Sequence, residues 1–154
     1  MIYETIILEP FYVTGIVVRT SNQNGQSQKD IGELWQKFYS EQIIGRIPDK
    51  VSDDVYCIYT DYENDVNGAY TTILGCKVSS LNNVPKGMSG IAIPEAAYRL
   101  YRSRGKLPDS VLGTWMHIWQ APVERKYAAD FDVYGTAAQN PDNAEVETYL
   151  SVRL

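Results

Sequence analysis

The chain has 154 residues, enough for one domain with a continuous core, and a globular composition of 44% hydrophobic and 21% charged residues. Fourteen basic residues against nineteen acidic ones leave a formal charge of -5, with no clustered stripe of Lys and Arg, which argues against direct binding of nucleic acid. No apolar run reaches the ~18 to 20 residues of a membrane span, and the first ten residues lack a signal-peptide pattern, so a cytoplasmic chain with no membrane partner is expected.

Residues 2–8 and 11–20 are rich in β-branched and aromatic side chains, are separated by Pro10, and read as strands. The polar stretch 21–28 reads as a loop. A helix is expected from Asp30 as N-cap, with Glu33 completing a capping-box-like pattern and Ile31, Leu34, Trp35 and Phe38 forming its apolar stripe; Gly45 and Pro48 end it. Residues 55–62 and 69–80 read as a hairpin across the Asn/Asp/Gly turn 63–68. Asp61, Glu63 and Asp65 resemble a calcium loop only superficially and read as a solvated turn. After the loop 82–87, residues 88–105 read as strand interrupted at Pro94. A second helix starts at 107–110, with Val111, Leu112, Trp115, Ile118 and Trp119 on its apolar face, and strands follow at 130–135 and 145–154.

The order strand, helix, strand, strand thus occurs twice. At an offset of 80, Ile31, Trp35 and Phe38 match Val111, Trp115 and Ile118; at an offset of 76, Val55, Cys57, Thr72, Leu74 and Cys76 match Phe131, Val133, Thr148, Leu150 and Val152. The expected architecture is α+β, a duplicated βαββ unit with an antiparallel sheet and two helices. It forms one domain over 1–154, with pseudo-repeats at about 1–81 and 87–154.

Strand alternation puts Phe131 and Val133 on one face and Asp130, Asp132 and Tyr134 on the other, and separates Val146, Thr148 and Leu150 from Glu147 and Tyr149. If the apolar faces pack against the helices, the remaining face carries Asp132, Tyr134, Glu147 and Tyr149, with Tyr56 at the repeat position of Asp132. Two such halves would enclose a groove of rings and acid suited to a cation; the alternative is that Asp132 faces water on an open sheet. Twelve tyrosines and three tryptophans fit such a half-wet concave surface. Cys57 and Cys76 have no partners at metal-ligand spacing and read as buried hydrophobes. His117, the only histidine, excludes a histidine-rich metal site and reads as exposed or packing. No metal or cofactor is expected.

The blocks ELWQKFY (33–39), VYCIYTDYEND (55–65), AYTTILGCKV (69–78), TWMHIWQ (114–120), ADFDVYG (129–135) and EVETYLSVRL (145–154), in this order and spacing, resemble the GyrI-like small-molecule-binding domains. These also serve as effector-binding domains of AraC-type and MerR-type multidrug-responsive regulators. The resemblance implies two SHS2-like βαββ halves around a ligand cleft, and binding of lipophilic, often cationic, aromatic compounds. It implies a ligand-facing acid at Asp132, where the family usually carries glutamate, and ligand contacts at Tyr70 and Trp35. With Tyr56, Tyr134, Trp115 and Glu147 these make the expected site. With no helix-turn-helix segment in the sequence, the expectation is a stand-alone form like those on mobile gene cassettes.

The leading reading is therefore a non-catalytic sensor or sequestering protein for amphipathic cations, with any protein partner unidentified. One alternative is a hydrolase of strained, cyclopropanoid-type electrophiles, in which Asp132 would orient water and Tyr70 or Tyr134 would donate a proton. Another is a protein-interaction module that inhibits a topoisomerase.

Overall fold

A computed structural model of the chain describes residues 2–64, 68–121 and 123–153. The elements in chain order are β1 (Tyr3–Leu8), β2 (Phe11–Ser21), α1 (Gln26–Ser40), β3 (Val55–Thr60), β4 (Ala69–Val78), β5 (Ser89–Ile93), β6 (Ala96–Gly105), α2 (Asp109–Gln120), β7 (Ala129–Tyr134) and β8 (Ala144–Ser151). The eight strands form one sheet in the order β1-β6-β8-β7-β3-β4-β2-β5, and every pair is antiparallel. This is the α+β fold expected, with the repeated βαββ order and one more strand before each unit. The two units join where β3 pairs β7. The extra strands are exchanged: β1 pairs β6 of the second unit and β5 pairs β2 of the first, which ties the halves together.

Both faces of the sheet are apolar, which is why simple alternation misleads here. On one face α1 buries Leu34 and Phe38 against Ile16, Cys57, Leu74 and Cys76. On the same face α2 buries Val111, Trp115 and Ile118 against Tyr101, Val146 and Leu150. The opposite face holds Phe11, Ile58, Ile73, Tyr98, Phe131 and Val133, with Phe131 stacked on Tyr149 at 4.6 Å between ring centroids. Each large side chain buried this way contributes about 2 kcal/mol.

The register corrects the sequence reading of β7. Asp132 is paired with Cys57 on one side and with Thr148 on the other, and Cys57 is paired with Leu74, so Asp132 shares the helix-facing side. Phe131 and Val133 point the other way. The repeat offset is corrected too, because the two hairpin connections differ in length. Tyr59 pairs with Thr72, thirteen residues on, whereas Asp132 pairs with Thr148, sixteen residues on. The offset of 76 therefore holds for β4 and β8, but β3 and β7 correspond at an offset of 73. An odd error in offset moves every side chain to the wrong face. The counterpart of Asp132 in the first half is Tyr59, not Tyr56.

Other boundaries shift as well. α1 begins at Gln26, four residues before Asp30, because Gly25 adopts a left-handed φ of 69° that turns the chain into the helix without a side-chain cap. Asp30 lies inside the helix and accepts a hydrogen bond from Gln26 Nε2 at 3.3 Å. The helix stops at Ser40, and Ile43–Arg46 form a separate 3-10 turn that buries Ile43. The turn expected at 63–68 and the Asp61, Glu63, Asp65 trio fall partly outside the described residues. His117 is exposed, beside Tyr101, and both cysteines are buried and free. No helix among the described residues is long and apolar enough to cross a membrane.

Candidate functional site

α1 and α2 flank a cavity of about 450 Å³ whose floor is the helix-facing side of the sheet. The volume suits an organic molecule of drug size. α1 contributes Ile31 and Trp35; α2 contributes Val111, Leu112, Trp115 and Trp119; the sheet and its loops contribute Tyr59, Tyr62, Tyr70 and Tyr134. The 3.6-residue period explains the helical contribution: Leu34 and Phe38 go to the core, and Ile31 and Trp35 fall on the adjoining stripe. The rings brace one another edge to face, Trp35 against Tyr134 at 4.9 Å, Tyr59 against Trp115 at 5.4 Å and Tyr59 against Tyr70 at 6.0 Å. Trp119 is 44% exposed and forms part of the rim.

Directly beneath this wall lies Asp132, 0% exposed. Thr148 Oγ1 donates to its Oδ1 at 2.5 Å, Tyr59 OH to its Oδ2 at 3.1 Å, and Trp115 Nε1 to both oxygens at 3.2 Å. Burial pushes its carboxyl up to about 6; the three donors pull the other way, and the neighbouring Asp130 charge adds a smaller push upward. Among the described residues no cation is within ion-pairing distance of it. Burial holds the Tyr59, Tyr134 and Cys57 protons far above their ordinary range. The chain Cys57 thiol to Tyr59 hydroxyl (3.4 Å) to Asp132 therefore stays protonated up to the carboxylate.

Asp130, two residues away and also 0% exposed, is satisfied differently. Its Oδ1 accepts from the Ser151 N–H at 2.7 Å and hydroxyl at 2.8 Å, and its Oδ2 accepts from Tyr62 OH at 2.6 Å and Arg125 Nη2 at 3.0 Å. Arg125 neutralises it and lines the cavity. One buried carboxylate is thus paired with a cation and the other is not.

Of the residues expected from sequence, Trp35, Tyr70, Trp115 and Tyr134 line the cavity, and Asp132 sits under its wall. Tyr56 and Glu147 do not belong to it. They are register partners of Val133 on the opposite face, where Tyr56 packs with Phe11 and Phe131, and Glu147 ion-pairs with Arg102 at 3.7 Å. Their misplacement follows from the inverted face of β7 and the wrong repeat offset. Sequence reasoning missed Tyr59, Tyr62, Trp119 as a rim residue, and Arg125. Tyr59 would have emerged from the correct offset; nothing in the segment APVERKY singles out Arg125. Among the described residues no group of three or more His, Cys, Asp or Glu is placed to hold a metal ion.

This architecture has relatives. The chain is 28% identical over 144 residues to YobU of Bacillus subtilis (strain 168), a protein named provisionally as a transcriptional regulator, covering 90% of each chain. It is similar to the Vibrio cholerae integron cassette protein from the mobile metagenome, at 30% identity and a TM-score of 0.77 over 98% of this chain and 95% of that one. The fold also matches SAV2435, solved bound to tetraphenylphosphonium, with a TM-score of 0.78 at 19% identity over 99% and 94% of the two chains. The model of the integron-associated effector-binding proteins, Cass2, matches residues 6–152, and the chain belongs to that family.

Proposed function

We propose that this effector-binding protein takes up amphipathic aromatic cations in its cavity, in the cytoplasm, as a sensor or sequestering protein, with Asp132 as counter-ion. The observation that carries the reading is a fully buried carboxylate with no cationic partner among the described residues, set one ring layer below an aromatic cavity. The ring faces attract a cation by about 0.5 to 2 kcal/mol per contact. At a separation of about 7 Å and an effective dielectric near 20, the carboxylate adds about 2 kcal/mol. Neither term acts on a neutral ligand of the same shape. The tetraphenylphosphonium bound by SAV2435 is a molecule of this class.

The hydrolase alternative needs the same carboxylate to meet a water in the cavity. Here Tyr59, Trp115 and Thr148 donate to both oxygens, and Tyr59 and Trp115 stand in the cavity wall, which favours a role through charge over one in proton transfer.

The test is equilibrium binding followed by quenching of tryptophan fluorescence, Trp35, Trp115 and Trp119 all being in the wall. Asp132→Asn is expected to weaken tetraphenylphosphonium by about ten- to thirtyfold, and a neutral aromatic of similar size by less than about threefold. Equal losses for both would remove Asp132 from the role of counter-ion.

A further inference from the structure

Arg125 is the one charged side chain among the described residues lining the cavity, and the cation reading makes no use of it. Its side chain is 7% exposed, and Nη2 donates to Asp130. Nε is shut off from solvent and has no acceptor among the described residues. A guanidinium carries five N–H donors, and with Nε enclosed an oxygen in the cavity would be met by the Nη groups. Tyr127 stacks on this group at 4.3 Å, and Trp115 and Tyr62 lie at 5.8 and 5.9 Å from it.

The position of Trp115 connects the two charged ends of the site. Its ring adjoins the Arg125 guanidinium, and its Nε1 donates to Asp132. A buried anion and a buried donor fork therefore border the same indole, within the span of one drug-sized ligand. Asp130 already neutralises the guanidinium, so an acceptor placed there need not be ionised, and an ionised one gains further from the fork geometry.

We propose that Arg125 forms an acceptor-recognising subsite, so that the ligand class is an aromatic cation that also bears a carbonyl or carboxylate oxygen, zwitterions included. The cationic end of such a ligand rests on the function proposed above; the oxygen end rests on Arg125 alone.

Two dyes with the same xanthene cation separate the ends. Tetramethylrosamine has no acceptor on its pendant ring, and tetramethylrhodamine adds one carboxylate there. By fluorescence anisotropy at pH 7.5 the wild type is expected to bind the carboxylate-bearing dye about tenfold more tightly. The double variant Arg125→Met/Asp130→Asn removes the cation and its counter-ion together, so no buried charge is stranded. It is expected to bring the ratio of the two dye affinities, measured in the same variant, to about one. Arg125→Lys keeps the charge but not the planar fork, and is expected to lose most of the preference; it decides the matter if the double variant does not fold. Equal affinity of the two dyes for the wild type, or a preference that survives in these variants, overturns the proposal and leaves the cation reading standing. Failure of tetraphenylphosphonium and both dyes to bind the wild type overturns both.

Discussion

At Asp132 burial opposes ionisation while Thr148, Tyr59 and Trp115 assist it, and the balance leaves the carboxyl at about 6. The folded-state value is raised above 3.8, so the stability associated with the neutral form is present at low pH and lost as pH rises through about 6. The shift corresponds to about 3 kcal/mol of cost at pH 8 in the unliganded protein. Asp132→Asn is accordingly expected to raise the melting temperature at pH 8 and to change it little at pH 4; a variant less stable at both would refute this balance. Cation affinity has the opposite sign. It should fall by about tenfold from pH 7.5 to pH 5 as Asp132 protonates, and stay flat in Asp132→Asn. Trp115→Phe keeps the ring and removes one donor, so the midpoint of that fall should move to higher pH. An unchanged midpoint would show that the indole N–H does not hold the charge.

At the scale of elements, β2 and β4 approach each other closely at one pair of glycines. Gly15 and Gly75 are register partners, and a Cβ on Gly75 would sit 2.0 Å from the Thr14 carbonyl oxygen, one on Gly15 2.2 Å from that of Leu74. Both contacts are with backbone, which cannot rotate away. Gly75→Ala is therefore expected to cost about 3 kcal/mol, read as a fall in the midpoint of denaturant unfolding; an unchanged midpoint would contradict the close approach. These elements were legible in sequence to different degrees. The helices showed through their 3.6-residue stripes, and the hairpins through turn residues flanking β-branched runs. The start of α1 was not legible, because Gly25 in a polar stretch gives no hint that the turn it makes opens a helix. The facing of β7 was not legible either: Asp132, Phe131 and Val133 are all buried, and with core on both sides of the sheet, polarity no longer reports direction. Only the register resolves it.

For the whole molecule, the repeated units supply the cavity because each brings one helix and one central strand to a shared floor, and the β3–β7 pairing joins those floors in one sheet. The aromatic load and the acid at Asp132 pointed to this kind of site from the sequence; the pairing of Arg125 with Asp130 did not, since no pattern in the segment before β7 marks it. Occupation of the cavity should stabilise the entire fold. A cation at a hundred times its dissociation constant adds about 2.7 kcal/mol, raising the melting temperature by about 5 to 10 °C. The central claim, that the Asp132 carboxylate is the charge a ligand cation meets, is tested most directly by calorimetry of tetraphenylphosphonium binding at pH 6 in buffers of different ionisation enthalpy. Binding should release about half a proton from the wild type, as the carboxyl at about 6 is driven fully to its anion, and none from Asp132→Asn. No release from the wild type, or the same release from the variant, would contradict the account.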